Sequence, residues 1–211
     1  MEILPEPTLR RLPWYLSYLE ILKSQQEKTV STTRMSIALG VDASQIAKDL
    51  SFLHIKGKTR IGYPVEDLAN AVSEFLGFRI PHRAFIAGTG SLGAALIHDK
   101  GLVKYGLEII AGFDTDPEKI GTSICGIPVF HISDMKACCC ESGVEIGILA
   151  VPPNCAQNVA DIMVASGLSA IWNFTPYRIR VRDGIVISNT SIYANLAIIY
   201  NRLAAINHIK E

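Results

Sequence analysis

The sequence predicts an α/β fold in two parts: an N-terminal winged helix-turn-helix, then a Rossmann-type parallel-sheet domain that ends in a C-terminal interface helix. Three observations predict it. Before residue 82 the pattern is helical with short polar breaks, whereas after it short Val/Ile-rich runs alternate with amphipathic segments, as βαβ units do. A glycine-rich string, Gly88-Thr89-Gly90-Ser91-Leu92-Gly93, falls where the first such run gives way to a helix. The closing stretch, up to about residue 208, is apolar on two adjoining helical faces. The expected domains are 1–80, 81–188 and 189–211, with Pro81 stopping a helix before the first strand.

Composition narrows the class. The chain has 211 residues, 49% of them hydrophobic, with 20 Lys and Arg against 20 Asp and Glu. That supports a sizeable core and excludes wholesale disorder. The longest uncharged apolar stretches fall far short of the roughly 20 residues of a membrane span. Early acids and prolines, with no apolar run behind a basic start, do not make a signal peptide. Five cysteines, three of them consecutive at Cys138-Cys139-Cys140, are no disulfide framework, so a reducing cytoplasmic setting is expected.

In the first part, Leu9, Leu12, Leu16, Leu19 and Leu22 step by three and four, the mark of an amphipathic first helix. Ser31, Thr32 or Thr33 can cap a short second helix over 34–39. Gly40-Val41-Asp42 then turns the chain into a third helix over 43–53, with Ile46, Leu50 and Leu53 inward. That is the helix-turn-helix order. Residues 54–63 read as a hairpin with a basic tip, which adds a wing.

Charge gives this part a function. Between Lys28 and Tyr63 stand six bases, Lys28, Arg34, Lys48, Lys56, Lys58 and Arg60, against Asp42 and Asp49. Lysine, arginine, small hydroxyls and helix N-termini supply the phosphate contacts of DNA-binding proteins. Ser44 and Gln45 lie in the first turn of the third helix, where a recognition helix reaches base edges. Ser44, Gln45, Lys48, Lys56, Lys58 and Arg60 are therefore the expected DNA contacts. A protein-docking winged helix with a merely solvated charged face is the other reading.

In the second part, the strand 83–87 runs directly into the glycine string. Gly88 permits the tight turn, Gly90 lets a pyrophosphate approach, and Gly93 lets helix and strand pack closely. The helix N-terminus then offers free N–H groups to phosphate, with Thr89, Ser91 and Leu92 completing the loop. A second strand, 108–113, ends at Asp114, about 20 residues beyond Gly93, where an acid accepts from the adenosine ribose. That carboxylate repels a 2′-phosphate, so NAD(H) is expected over NADP(H), with Asp116 as a further cofactor residue. Strands over 127–130, 144–151 and 169–174 follow. Val151, Pro152 and Asn173 lie at strand C-terminal ends, where open α/β sheets hold ligands. Ordinary loop punctuation explains the prolines there equally well.

No Tyr-x-x-x-Lys pair occurs, and no His beside a carboxylate reads as a hydride-transfer acid or base. His54, His82, His98, His131 and His208 are scattered, so no catalytic residue is expected, and no cluster suggests a metal. Cys125 and Cys155 read as small apolar residues, and Cys138, Cys139 and Cys140 as a helix end. Asn189-Thr190 can cap a last helix to about residue 208. Its two apolar stripes, Ile192, Leu196, Ile199, Leu203 and Ile206 beside Tyr193, Ala197, Tyr200 and Ala204, need cover from two sides. A homodimer is the simplest source of the second cover, and its two-fold axis would match a palindromic operator.

Taken together, these pieces resemble the Rex family of bacterial redox-sensing transcriptional repressors along essentially the whole chain. The resemblance rests on Arg11-Leu12-Pro13 with Tyr15, Leu39-Gly40-Val41, Lys48-Asp49-Leu50-Ser51-Phe52, and Gly57 with Gly62-Tyr63. In the second part it rests on Gly88 to Gly93, Phe113-Asp114-Thr115-Asp116-Pro117-Glu118-Lys119, Val151-Pro152, and Asn173-Phe174 with Pro176. It implies a dimer that binds a palindromic operator when NADH is low and releases it when NADH binds, without catalysis. The chain departs from the family pattern at several points. Ala47 replaces the first of two adjacent bases, and Thr59-Arg60 stands where Arg-Gly is usual. The Tyr, Asp and Arg positions that the family is thought to use in reading the nicotinamide are Asp99, Ser191 and Ser17. Weaker discrimination between NADH and NAD+ is expected, unless Asp99 points into the cofactor pocket and attracts the charged ring. An NAD-dependent oxidoreductase, or a ligand-insensitive DNA-binding paralogue, are the competing readings.

Overall fold

In the computed structural model, residues 4–58 and 61–208 are described, and the chain divides between Ile80 and Pro81 into two units. The first runs α1 (Glu6–Ser24), β1 (Thr29–Val30), α2 (Thr32–Leu39), α3 (Ala43–Ser51), β2 (Tyr63–Pro64) and α4 (Val65–Phe75). One face of α1, comprising Thr8, Leu12, Tyr15, Leu16, Leu19 and Leu22, is buried. Leu9 does not belong to it and is 39% exposed. Thr8 takes the inward place in that turn, because its hydroxyl donates to Asp49 at 3.0 Å. Ser31 accepts from the Arg34 N–H at 3.1 Å and caps α2, which starts ahead of the expected residue 34. Asp42 does the same for α3 through the Ser44 N–H at 2.8 Å. The third helix ends at Ser51, so Leu53 is only half-buried. Met35, Ile46 and Leu50, with Val65, Leu68 and Val72 of α4, fill the interior.

Within the expected wing, Lys58 and Gly62 exchange backbone hydrogen bonds (2.8 and 2.9 Å). Its base is β2 paired antiparallel with β1, a two-residue strand ahead of α2 that carries no alternation to betray it.

The second unit contains β3 (His82–Ala87), α5 (Ser91–His98), α6 (Lys100–Lys104), β4 (Leu107–Asp114), β5 (Ser123–Ile124) and β6 (Ile127–His131). Then come α7 (Met135–Ser142), β7 (Ile146–Leu149), α8 (Ala156–Ala165), β8 (Ala170–Asn173), β9 (Val186–Asn189) and α9 (Ile192–His208). The sheet order is β5-β6-β4-β3-β7-β8-β9, parallel except for β5 at the edge. The central strand β3 is buried along its last four residues, as a strand covered on both faces must be. One face packs Phe85, Phe113, Met135, Leu149, Ala160 and Met163, the other Ile86, Ile109 and Ile148 beneath Leu96 and Ile97. Because β4 and β7 flank β3 on opposite sides, the chain reverses direction across the sheet there. A crevice opens at the strand C-termini at such a point.

Two expectations are corrected at the far edge. Strand β9 was not anticipated, because it is short, mostly exposed and joined to β8 without a helix. The cap of α9 is Ser191, whose hydroxyl accepts from the Ala194 N–H (3.2 Å). Asn189 and Thr190 are engaged by β8 instead, accepting from Asn173 Nδ2 (2.8 Å) and Trp172 Nε1 (2.9 Å). Neither stripe of α9 lies against the sheet: Ile192, Tyr193, Ile198, Ile199, Tyr200, Leu203 and Ile206 are each at least half exposed.

Candidate functional site

At the C-terminal ends of β3, β4 and β7 lies a cleft of about 360 Å³, lined among others by Gly88, Gly90, Phe113, Asp114, Lys119, Val151, Pro152, Cys155 and Asn158. The glycines build its floor for separate reasons. Gly88 has φ of 91°, and a Cβ there would strike the Ala150 carbonyl. A Cβ on Gly93 would strike the carbonyl oxygen of Gly88, so strand and helix approach only because it is absent. Gly90 faces open space and caps α5 with no side chain, so the first-turn N–H groups of that helix are left for an anion.

Asp114 closes one end. Its Oδ2 accepts from the N–H (2.9 Å) and hydroxyl (2.6 Å) of Thr89, and its Oδ1 from the N–H groups of Thr115 (2.8 Å) and Asp116 (3.1 Å). Burial alone would raise its pKa. The Thr89 hydroxyl and N–H and the N–H groups of Asp116 and Thr115 outweigh it and push the value down to about 2. Lys119 Nζ stands 3.3 Å from Asp116 and 3.4 Å from Asp114, and is raised chiefly by the Asp116 contact. This lysine carries no cofactor role in the sequence reading, although its place five residues after Asp114 could have suggested one.

The other expected cofactor residues divide. Val151 and Pro152 line the cleft. Thr89 is buried and bound to Asp114, while Ser91, Leu92 and Gly93 form the first turn of α5. Asn173 is a correction: it is 0% exposed and lies outside the cleft. Its amide donates to the Tyr177 carbonyl and Asn189, and its carbonyl accepts from the Thr175 N–H and hydroxyl, which leaves no capacity for a ligand. Asp99 likewise does not line the cleft. Its carboxylate accepts from the Gly101 N–H (2.7 Å) and caps α6. Cys125 and Cys155 are exposed rather than packed as small apolar residues, and Cys155 borders the cleft. In α7, burial pushes the Cys138 and Cys139 thiols up, away from reactive thiolate. Among the described residues no group of three His, Cys, Asp or Glu could hold a metal, and no helix is long and apolar enough to cross a membrane.

On the first unit, Ser44, Lys48, Lys56 and Lys58 are exposed and Gln45 half-buried; Arg60 lies outside the described residues. No carboxylate pairs with Lys48, Lys56 or Lys58 among the described residues, whereas Arg34 is taken by Glu27 (2.9 Å). The Ser44 hydroxyl donates to Asp42 (2.5 Å), so while α3 is capped it offers DNA an acceptor only. Behind this face is a feature that the sequence did not announce. The fully buried Asp49 accepts from Thr8, from Arg11 through Nε (2.7 Å) and Nη2 (2.8 Å), from the Tyr15 hydroxyl (2.7 Å) and from Gln45 Nε2 (2.9 Å). Burial would raise the Asp49 pKa, but Arg11, Tyr15, Gln45 and Thr8 together lower it. Burial and this carboxylate raise the Tyr15 phenol.

Comparison with known proteins agrees with this geometry. Residues 79–177 match the CoA binding domain family model, and residues 3–51 the putative DNA-binding protein N-terminus. A Porphyromonas gingivalis protein named redox-sensing transcriptional repressor Rex is 54% identical over 202 residues, 96% of this chain and 93% of that protein. Crystal structures of RSP, a Rex-family repressor, are 32% identical and cover the whole chain. The complex with NAD+ and operator DNA gives a TM-score of 0.93 over 97% of that chain, and the complex with NADH 0.89 over 99%.

Proposed function

The chain belongs to the Rex family of redox-sensing transcriptional repressors, and on that footing we propose that it holds operator DNA as a homodimer and lets go when NADH fills the cleft of its second unit. The cleft carries this reading. Its open Gly90, its uncapped helix start and its charged Asp114 fit a dinucleotide: the first turn of α5 takes the pyrophosphate, and Asp114 with Asp116 takes the adenosine ribose. The bound cofactor supplies a redox state to be sensed. The negative charge favours NAD(H) over NADP(H), and Lys119 moderates that preference.

DNA is held through α3 and the wing, by Gln45, Lys48, Lys56 and Lys58, and by Arg60 on the sequence reading. The exposed apolar α9 supports the homodimer: a second copy of the chain covers it, and burial at about 25 cal/mol per Å² of apolar surface stabilises the pair. A repressor works on the chromosome, so its place is the cytoplasm. The relatives are regulators by name, and the chain acts without turnover; sustained consumption of NADH with any member of a carbonyl panel would overturn that.

The test is operator release titrated separately with NADH and NAD+. With Asp99 capping α6, and Ser191 and Ser17 at the other two positions, none of the three family switch positions keeps the side chain that contrasts the two nicotinamide states. NADH is expected to release the operator first, and a large excess of NAD+ to release it as well. No release by either cofactor would reject the sensing function, while release by NADH alone would reject the weakened discrimination.

A further inference from the structure

We propose that Gln45 selects an adenine in each operator half-site, and that the buried Asp49 carboxylate holds its amide in the reading orientation. The proposal rests on the DNA-binding reading above and deepens it.

Asp49 is 0% exposed and is bonded by the Arg11 guanidinium, so it stays a carboxylate and only accepts. Gln45 therefore meets it with nitrogen. The Nε2 to Oδ1 distance of 2.9 Å fixes which way round the amide sits by chemistry, where otherwise the choice would be open. Of the two amide hydrogens, one lies beside Oε1 and the other opposite it. Donating the near one would bring Oε1 against the carboxylate, so the far one is donated. That leaves Oε1 and the remaining hydrogen side by side on the outer edge. Among the described residues no other partner holds either of them.

An acceptor next to a donor matches adenine in the major groove, where N6–H donates and N7 accepts. Guanine presents two acceptors there and sets O6 against Oε1. The place is right as well, since Gln45 is the third residue of α3 and partly exposed, beside Ser44 and one turn before the unpaired Lys48. The four other bonds to Asp49 come from α1, through Thr8, Arg11 and Tyr15. The carboxylate is thus fixed before DNA arrives, and Gln45 needs little further ordering to read a base.

The experiment selects an operator from a random duplex pool with the full-length chain, then measures competition by base-substituted duplexes. One A·T pair per half-site is expected to lose on the order of 10- to 100-fold in affinity when changed. Gln45→Ala flattens that preference to within about threefold while leaving the salt dependence unchanged. Replacing the adenine by 7-deazaadenine, which lacks N7, weakens the wild type and leaves Gln45→Ala unaffected. Gln45→Glu, which has no donor to give, moves the preference toward cytosine. A selected palindrome in which no adenine depends on Gln45 rejects the proposal. A chain that selects no sequence at all rejects the DNA-binding reading itself. Asp49→Asn tests the positioning and is expected to lose adenine preference; should it not fold, NMR of the wild type decides. One Gln45 side-chain proton is then expected to be protected from exchange in the free protein, and equal, unprotected protons overturn the role of Asp49.

Discussion

Asp49 in the first unit and Asp114 in the second are both acids held charged by five donor atoms, and the donors differ in kind. Around Asp49 all are side-chain atoms, most of them from α1, 34 to 41 residues away. Around Asp114 three are backbone N–H groups of the adjoining turn and the glycine loop, joined by Thr89 Oγ1 and by Lys119. The first arrangement clamps two helices to each other and leaves the carboxylate no exposure. The second shapes a loop and leaves part of the carboxylate at a cleft. Asp49 thus positions the side chains around it, while Asp114 keeps an edge on the cleft.

The contrast is broken most directly at Asp49. Asp49→Ala leaves a guanidinium, a phenol and an amide without their acceptor, and loss of one partner of a buried ion pair costs about 3–5 kcal/mol. Urea unfolding of the variant is expected to show that loss, and a change below about 1 kcal/mol would mean that α1 and α3 are held by packing alone. At Asp114 the larger effect falls on ligand. Asp114→Ala is expected to cost roughly 1.5–3 kcal/mol of NADH binding, as for a charge-assisted hydrogen bond. Calorimetry that finds wild-type affinity would move the ribose acceptor to Asp116.

Lysines outside both clusters sharpen the picture. Lys48→Ala and Lys58→Ala are each expected to reduce the salt dependence of operator binding by about one unit, with little change in base preference. Unchanged slopes in both would displace the DNA face from α3 and the wing. The smallest effect concerns pH. Asp114 falls from an ordinary 3.8 to about 2, so its stabilising contribution is complete above about pH 4 and is lost as pH falls through the folded value. Asp49 is shifted in the same direction. Neither carboxylate then titrates between pH 5 and 8, and NADH affinity is expected to show no carboxylate midpoint there. A midpoint near 5 would show that Asp114 lacks its Thr89 bonds in solution.

Much of the cofactor cleft was legible because its parts are sequence neighbours. Gly88, Gly90 and Gly93 answer backbone demands that few other residues meet, and Asp114 closes the next strand at the spacing such loops use. The helix start at Ser31 was legible for the same reason, since a cap serves N–H groups two or three residues away, whereas Asp42 was read as a turn residue and its capping bond came only with the structure. Leu9 was misread because a helical stripe predicts a face only to within a residue, and Thr8 won the inward place through a bond to a distant acid. Asn173 was misread because the end of a strand marks both ligand sites and turn anchors, and only the occupancy of its amide tells them apart.

By itself the sequence determined the order of elements, the glycine loop with its acid, the basic excess over residues 28–63 and the apolar closing helix, all of which follow from periodicity, composition and local backbone chemistry. The tertiary structure alone decided that Asp49 of α3 would gather Thr8, Arg11 and Tyr15 of α1. It also decided that α9 would leave its own sheet without covering either stripe. The reason is that a periodic pattern specifies which side of an element is apolar, but a polar side chain's partner depends on what other elements bring within about 3 Å of it.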